Sequence, residues 1–411
     1  MASKVAITQV EQNDIESAVR KAVNLAGGLD RVIKKTSKVL VKPNLFRPEI
    51  SGSGLVTNAM VTEAVTKIAM ELKPKSVVIG EGSAAGWDKR GYSTQESFIA
   101  SGTDEIAKRL GVEFRNLNID EAITIDIPNA NVMNKVRIAK TVIESDVVIS
   151  VPVLKTHSLT NVSLSIKNMK GAMPGPEKRN SHRLGLDLAI ADLISVVRPT
   201  YAIVDATTGM EGAWQYPDDT KQMNLIIAGN DPLAVDIVGA SLMSIDPNQI
   251  LHLRYAAQKE NIEIESKRIV VVGEPIEKHR QQFKGFLEVF EKRFPNVKII
   301  HGKSACTGCT AKVRSALQYT RDAGYEEALK GLTIIIGNAI DPEVTEKVAV
   351  WGVCAREFSN LGAYVTGCPP SEEDVIKTIC RACDINGSEV LAVREESHHR
   401  LWQKSDISLK Q

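Results

Sequence analysis

Cysteine is absent from the first 305 residues of this 411-residue chain. All six cysteines lie between Cys306 and Cys383, and two pairs of them are spaced as CxxC. Folding alone does not require thiols to gather at one end of a chain. We therefore interpret this last quarter of the sequence as the location of a site.

Long apolar runs are also missing. No stretch approaches the roughly 18 to 20 residues that span a bilayer, and the N-terminal residues MASKVAITQVEQND have no long apolar run behind a basic start. The net charge of +1 excludes a global field that draws the chain to nucleic acid or to an anionic membrane. We expect a cytoplasmic protein, in which a CxxC indicates metal or redox chemistry more often than a disulfide.

Common nucleotide and hydrolase signatures are missing or incomplete. There is no GxxxxGK(S/T) phosphate loop and no GxSxG elbow. Gly80, Gly82 and Ala85 in GEGSAAG match the GxGxxA dinucleotide fingerprint after a predicted strand. The next residues, GWDKRGYS, do not open a helix, and the motif lies outside the first βαβ unit. A nucleotide role is therefore the weaker interpretation of this stretch.

What the sequence does contain is a repeated alternation of apolar strands and helical patterns. Strands are predicted at KVLVKPN from Lys38, SVVIGEG from Ser76 and DVVISVPVLKTH from Asp146. Near-continuous apolar strands between helices predict an α/β fold with a mostly parallel, mixed sheet that helices cover on both faces. We expect this large domain at residues 1–295, a small α/β iron–sulfur domain at 296–384 and a polar tail at 385–411.

Four cysteines form the predicted ligand set: Cys306, Cys309, Cys354 and Cys368. The first two share a short loop, and the other two each end an apolar strand, so all four are expected at one sheet edge. Four thiolates are the usual ligands of a [4Fe-4S] cluster. Structural zinc is the alternative, because Cys380 and Cys383 would supply a second CxxC knuckle. A redox dithiol is a further alternative, and Cys380 and Cys383 are otherwise buried small residues on one helix face.

The most basic segment runs from Lys155 to Arg183 and follows the most apolar strand directly. This position predicts the carboxyl end of the sheet, where open α/β sheets bind their ligands. Gly171, Pro174, Gly175 and Pro176 predict a loop in the second half of the segment. A basic loop there suits a small anion such as a carboxylate or phosphate. A solvated basic surface is the alternative interpretation.

Polar residues end other predicted strands as well, so we expect one shared cleft. A lysine and a histidine there can act as acid and base while a carboxylate orients them. The predicted catalytic residues are Lys155, His157, Lys167 and Asp205. The predicted substrate-binding residues are Lys42, Asn44, Glu81, Ser83, Asn168, Lys170, Lys178 and His182. Taken singly, each of these residues is also explained as a helix cap or an ion-pair partner.

The segment VTGCPPSEEDVIKTI around Cys368 resembles the GCPP segment of nickel–iron hydrogenase small subunits and of the related complex I subunit. In those proteins the cysteine before the two prolines binds a [4Fe-4S] cluster. The double-cysteine motif of the complex I subunit is absent here. The resemblance implies a ligand role for Cys368 and, less firmly, for Cys354, and it does not imply hydrogenase activity.

A second resemblance covers the main body of the chain. KPNL, the EGS stretch, LKTH, SIKNMKG, VDATTGMEG and AGNDPLAVDIVGASLM follow one another from about Lys38 to Leu251 and resemble the domain of unknown function 362 family. Members of that family are often joined to iron–sulfur modules, which agrees with the interpretation of the cysteines. The CxxCxxCxxxCP repeats that many members carry are missing here, and the family name implies no reaction.

Three functions are compatible with these patterns. The first is a [4Fe-4S]-dependent oxidoreductase that acts on a small anion and exchanges electrons with a redox partner protein. The second is a non-redox iron–sulfur lyase or isomerase that uses lysine and histidine for acid–base chemistry. The third is a metal carrier or assembly factor. A homodimer is compatible with each, and none requires nucleic acid or a membrane.

Overall fold

The structure is a computed structural model that describes residues 2–84, 94–212, 219–264, 268–302, 304–305, 307–338 and 341–396. Ala85, Cys306 and the end of the predicted polar tail, 397–411, lie outside the described residues. The chain forms two compact units, Met1–Gly285 and Phe286–Gln411. The division falls earlier than the boundary that we expected after residue 295.

The large unit alternates strands and helices along the chain. Its strands are β1 (Ser3–Gln9), β2 (Lys38–Pro43), β3 (Ser76–Glu81), β4 (Glu113–Asn116), β5 (Ala122–Asp126), β6 (Lys135–Ala139), β7 (Val147–Val151), β8 (Val153–His157), β9 (Asn161–Ser163), β10 (Tyr201–Met210), β11 (Thr220–Gly229) and β12 (Ile269–Gly273). Its helices are α1 (Ile15–Leu25), α2 (Ala59–Glu71), α3 (Thr94–Ala100), α4 (Thr103–Leu110), α5 (Lys140–Ile143), α6 (Ser165–Asn168), α7 (Gly175–Leu184), α8 (Leu186–Val196), α9 (Pro232–Leu242), α10 (Leu251–Lys259) and α11 (Ile276–His279).

Ten of these strands form one mixed sheet in the order β12-β1-β11-β10-β7-β2-β3-β4, with β8 and β9 beside β10. The neighbours β7, β2, β3 and β4 are parallel, whereas β11 is antiparallel to both β1 and β10. Strands β5 and β6 form a separate antiparallel pair. Parallel order brings the carboxyl ends of β2, β3 and β7 to one edge of the sheet.

Helices cover both faces of the sheet, as predicted. Val39 and Val41 of β2 belong to a core shared with α1, α2 and α4, and Leu40 between them belongs to a core shared with α8, α9 and α10. Successive residues of a strand point to opposite faces, so a strand buried on both sides must be apolar at every position. The α/β fold class predicted from the near-continuous apolar runs is therefore confirmed.

Two predicted elements are divided in the structure. The apolar pattern from Glu96 to Leu110 predicts one helix, but the structure divides it into α3 and α4 at Gly102, which has a φ of 71°. The long strand expected from Asp146 is divided into β7 and β8 at Pro152, since proline has no amide hydrogen for the ladder.

The prediction of a loop in the second half of the basic segment is wrong. Gly175–Leu184 forms helix α7, with Pro176 in its first turn. Proline is tolerated there because the first amides of a helix have no partner within the helix. Lys178 and His182 therefore lie on a helix, and the basic segment is more ordered than its glycines and prolines indicate.

The small unit contains a second, fully parallel sheet. Its strands are β13 (Val297–His301), β14 (Leu332–Ile336), β15 (Lys347–Trp351) and β16 (Ala363–Val365), in that order across the sheet. Its helices are α12 (Phe286–Arg293), α13 (Thr307–Asp322) and α14 (Glu372–Cys383), and residues 387–396 are also helical. Within the described parts of both units, no helix is long and apolar enough to cross a membrane.

Candidate functional site

A buried ion pair joins the carboxyl ends of β2 and β3. The Nζ of Lys42, which is 0% exposed, donates to Glu81 Oε1 at 2.8 Å. The same carboxylate accepts hydrogen bonds from the amides of Leu45 at 3.0 Å and Gly82 at 2.8 Å. Burial lowers the pKa of Lys42, and the charge of Glu81 opposes that effect. A buried carboxylate with three donors is well compensated, so the pair fixes the turns that follow both strands.

Asn168, at the end of α6, connects this pair to the neighbouring strand β7. Its Nδ2 donates to the carbonyl oxygen of Lys42 and to Ser150 Oγ, both at 3.1 Å. Its Oδ1 accepts from the Nζ of Lys42 at 3.4 Å and from Asn44 Nδ2 at 3.3 Å. Three elements that are distant in the sequence therefore share one hydrogen-bond network, as the prediction of a common cleft requires.

Gly171 packs directly over the ion pair. A Cβ atom at this position would lie 1.9 Å from Glu81 Oε1 and 2.5 Å from the Nζ of Lys42. These distances are far inside van der Waals contact, so no side chain fits without moving a buried charge. Glycine is required here for the close approach of the backbone.

Lys155 on β8 reaches across to the segment that follows β2. Its Nζ donates to Asn44 Oδ1 and to the carbonyl oxygen of Leu55, both at 2.6 Å, and lies 4.4 Å from the centre of the Phe46 ring. Within the described residues it pairs with no carboxylate. Burial, with a contribution from the charge of Lys167, holds the pKa of Lys155 well below its usual range.

His157, the last residue of β8, is half-buried. Its Nδ1 lies 3.2 Å from the amide nitrogen of Leu159, 3.3 Å from that of Thr160 and 3.0 Å from Thr160 Oγ1. Burial and the neighbouring charges, first that of Lys167, hold the pKa of His157 well below its usual range. The imidazole is therefore neutral near pH 7.

Lys167 on α6 is half-buried and loosely held. Its described hydrogen bond is to Ser163 Oγ at 3.3 Å. Burial lowers the pKa of Lys167 to about 7, against the opposing charge of Asp187. This amine exchanges its proton within the physiological pH range, which suits acid–base chemistry.

Lys170 and His182 lie next to these residues, with the Nζ of Lys170 at 2.9 Å from His182 Nε2. Burial, then the charges of Lys170 and Lys167, hold the pKa of His182 well below its usual range. A neutral imidazole can accept the hydrogen bond from the Lys170 amine at Nε2. We call the following five residues the basic cluster: Lys155, His157, Lys167, Lys170 and His182.

Lys178 and Ser83, which were predicted to bind substrate, have structural contacts. The buried Nζ of Lys178 donates to the carbonyl oxygens of Gly82 at 2.6 Å and Ser83 at 2.9 Å, and to Asn118 Oδ1 at 2.6 Å. The hydroxyl of Ser83 is 2.8 Å from that of Ser97. These contacts attach α7 to the end of β3.

Asp205, which was predicted to be catalytic, holds backbone groups. Its Oδ2 accepts from the amide of Asn58 at 2.7 Å, and its Oδ1 accepts from the amide of Thr207 at 3.0 Å and its hydroxyl at 2.7 Å. Burial raises the pKa of Asp205, and these hydrogen bonds oppose the rise. The carboxylate therefore supports the start of α2 next to the basic cluster.

Sequence reasoning missed Asp236, which positions the helix that carries Lys167 and Asn168. Asp236 is 0% exposed, and its two carboxylate oxygens accept from the amides of Ser165 at 2.8 Å and Ile166 at 2.9 Å. Burial raises the pKa of Asp236 to about 7. Asp236 lies in the motif AGNDPLAVD, and the signal in the sequence was an acidic residue within an otherwise apolar helical pattern.

Segments that carry the predicted cysteine ligands meet at Gly352, which follows β15 and has a φ of 102°. A Cβ atom at this glycine would lie 3.5 Å from the Sγ of Cys309 and 3.4 Å from that of Cys354. The amide of Val353 donates to the carbonyl oxygen of Gly367 at 3.0 Å, which brings the segment of Cys368 alongside. The sulfurs of two predicted ligands thus lie beside one glycine, the segment of Cys368 runs alongside, and Cys306 lies outside the described residues.

No metal site is formed by the described side chains alone. Among them, no group of three or more His, Cys, Asp or Glu residues has an arrangement that could hold a metal ion. Cys380 and Cys383 are buried on α14, and burial raises the pKa of Cys380 to about 11.

The fold and this site define an α/β protein with a cationic, hydrogen-bonded centre at the carboxyl ends of its parallel strands. Residues 39–241 match the sequence profile of the family described as domain of unknown function DUF362. This match to residues 39–241 agrees with the family that the resemblance of its motifs indicated.

Two further proteins are similar to this chain. The thylakoid-associated protein sll1697 of Synechocystis sp. is 24% identical over 248 residues, which are 58% of this chain and 73% of that protein. The lactate racemase apoprotein from Thermoanaerobacterium thermosaccharolyticum is similar with a TM-score of 0.39 and 14% identity, over 81% of this chain and 68% of that one.

Replacing Gly171 with alanine should disrupt the ion pair. The added Cβ forces Glu81 or Lys42 to move, so we expect Gly171→Ala to lower the free energy of unfolding by about 1–3 kcal/mol, as overpacking does. Urea unfolding measures this change. Gly175→Ala is the matched control, because a Cβ there meets nothing within 4 Å. Equal stability of the two variants would contradict the proposed packing.

Proposed function

We propose that the large unit binds a small oxyanion at the basic cluster and performs acid–base chemistry on it. The observation that carries the proposal is the concentration of amine and imidazole donors there, together with the neutral oxygens that Lys155 and Lys167 contact. Lys155 donates to two neutral oxygens, and Lys167 donates to a hydroxyl. The lowered pKa values of these amines reflect the cost of burying their charge.

A bound anion offsets the free-energy cost of burying the charge of these amines. Negative charge near the amines favours their protonated forms, so binding and proton uptake are coupled. The donors available to the anion's oxygens are ammonium groups and imidazole N–H groups. A charged ammonium group forms stronger hydrogen bonds than a neutral donor does. Lys167, with a pKa of about 7, is the group that gains or loses a proton in this pH range.

Support for an iron–sulfur cluster comes from the cysteine region. The sulfurs of Cys309 and Cys354 both lie against the space that a side chain at Gly352 would fill, and Cys368 is in the adjacent segment. Cys309, Cys354 and Cys368, with Cys306 as the expected fourth ligand, fit the thiolate set of a [4Fe-4S] cluster. Such a cluster supplies one-electron transfer.

The proposed activity takes one of two forms. In the oxidoreductase form, the basic cluster holds the anion and Lys167 provides or accepts the proton that accompanies electron transfer. In the lyase or isomerase form, the same residues move protons without a change of oxidation state. The pKa of Lys167 favours proton transfer in either form. The oxidoreductase form also requires a redox partner protein, and we propose a cytoplasmic location for it.

The oxyanion site can be tested by calorimetric titration of the full chain with inorganic phosphate and with oxalate. Removing one cationic donor in Lys167→Met or Lys155→Met should weaken binding about tenfold or more, because hydrogen bonds to charged groups contribute about 1.5–3 kcal/mol. Affinity should fall as the pH rises above 7, since Lys167 then has to take up a proton.

Lys135→Met is the control for this titration. Lys135 is an exposed lysine that pairs with Asp126, at 3.3 Å, and its side chain is 69% exposed. This variant should bind both anions like the wild type. Unchanged anion affinity in the Lys155 and Lys167 variants would contradict the proposal. An equal loss of affinity in the Lys135 variant would also contradict it.

The cysteine assignment predicts a brown protein after anaerobic purification, with about four irons and four sulfides per chain. Cys354→Ser and Cys368→Ser should each lose most of the iron, whereas Cys380→Ser should retain it because Cys380 lies on α14, outside the predicted ligand set. Iron and sulfide analysis with visible spectra measures the result. Colourless protein with stoichiometric zinc would instead support the structural zinc site.

A further inference from the structure

The hydrogen bonds of His157 determine which of its ring nitrogens carries the proton. Two backbone amides, those of Leu159 and Thr160, lie 3.2 Å and 3.3 Å from Nδ1. An amide N–H can only donate, so Nδ1 must accept through its lone pair. Nδ1 therefore has no hydrogen, and a neutral ring carries its single proton on Nε2.

The surroundings of His157 keep the ring neutral. Its electrostatic neighbours are Lys167, His182, Lys170 and Lys155, and all of them oppose a positive charge on the imidazole, as does burial. Within the described residues, Nε2 has no protein partner, so its N–H is available to a ligand of the basic cluster.

We infer that His157 is a neutral hydrogen-bond donor to the bound oxyanion through Nε2–H, and that it is not the general base. The inference rests on the proposed oxyanion site and assigns the proton-transfer role there to Lys167 alone. A neutral imidazole is a suitable donor to an oxygen that gains negative charge, because it polarises that oxygen without giving up its proton. The ligand class is a small carboxylate or phosphate.

Nuclear magnetic resonance of the full chain with ¹⁵N-labelled histidine tests this directly. The chain has 7 histidines, and the signal that is lost in His157→Gln identifies the ring. We expect a neutral ring protonated at Nε2 at about pH 7, with a titration midpoint below that of an ordinary histidine. Phosphate or oxalate should shift the Nε2 resonance, and the larger shift identifies the preferred oxyanion.

The outcomes separate the inference from the proposed function. Titration of His157 near 6.5, or a proton on Nδ1, overturns the inference even if the anions still bind. If neither anion binds by calorimetry nor shifts any histidine resonance, the proposed oxyanion site fails, and the donor role fails with it. A neutral Nε2–H ring that shifts with an anion supports both.

Paired variants provide a second readout. Glutamine keeps an N–H donor, so His157→Gln should bind the preferred anion within about threefold of the wild type, whereas His157→Phe should lose about tenfold or more. His279→Gln is the control, because His279 pairs with Glu274 at 2.9 Å away from the cluster residues. Equal affinity of the glutamine and phenylalanine variants would overturn the donor role.

Discussion

The buried ion pair of Lys42 and Glu81 is the constraint on which the rest of the large unit's polar centre depends. Two charges removed from water are tolerated only when their remaining hydrogen-bond capacity is used. The chain meets this requirement with the amides of Leu45 and Gly82 and with the side chain of Asn168. The turns after β2 and β3 and the end of α6 are therefore fixed relative to one another.

The position of Lys167 follows from this constraint. Asn168 is held by the ion pair at the end of α6, and Asp236 holds the two amides at the start of the same short helix. Lys167 lies between these two attachments, so its backbone is held at both ends, while the described hydrogen bond of its amine is a long one to a hydroxyl. A fixed backbone with a loosely held, easily deprotonated amine is the arrangement expected of a proton carrier.

Much of the fold could be predicted from the sequence, because strands buried on both faces must be apolar throughout and helices between them give the α/β alternation. The strand ends also identified Lys42, Asn44, Glu81 and Lys155 as neighbours, since parallel strands end at one edge. The sequence could not separate a structural lysine such as Lys178 from a lysine available to a ligand. That difference depends on carbonyl oxygens supplied by distant segments.

Local composition gave a wrong prediction for helix α7 and no prediction for the required glycine at position 171. Glycines and prolines after Lys170 indicated a loop, but proline in a first turn is compatible with helix α7. The requirement for glycine at 171 comes from a contact with β2 and β3 that no local pattern records. In the small unit, the convergence of Cys309 and Cys354 depends in the same way on the positive φ of Gly352.

The most direct test of the central claim is the pKa of Lys167, measured by competitive amine labelling across pH with peptide mapping of the full chain. The account predicts half-maximal reactivity of Lys167 near pH 7, with a shift to higher pH when inorganic phosphate is bound, because the anion favours the protonated amine. A value in the ordinary lysine range near 10.4, unchanged by phosphate, would contradict it.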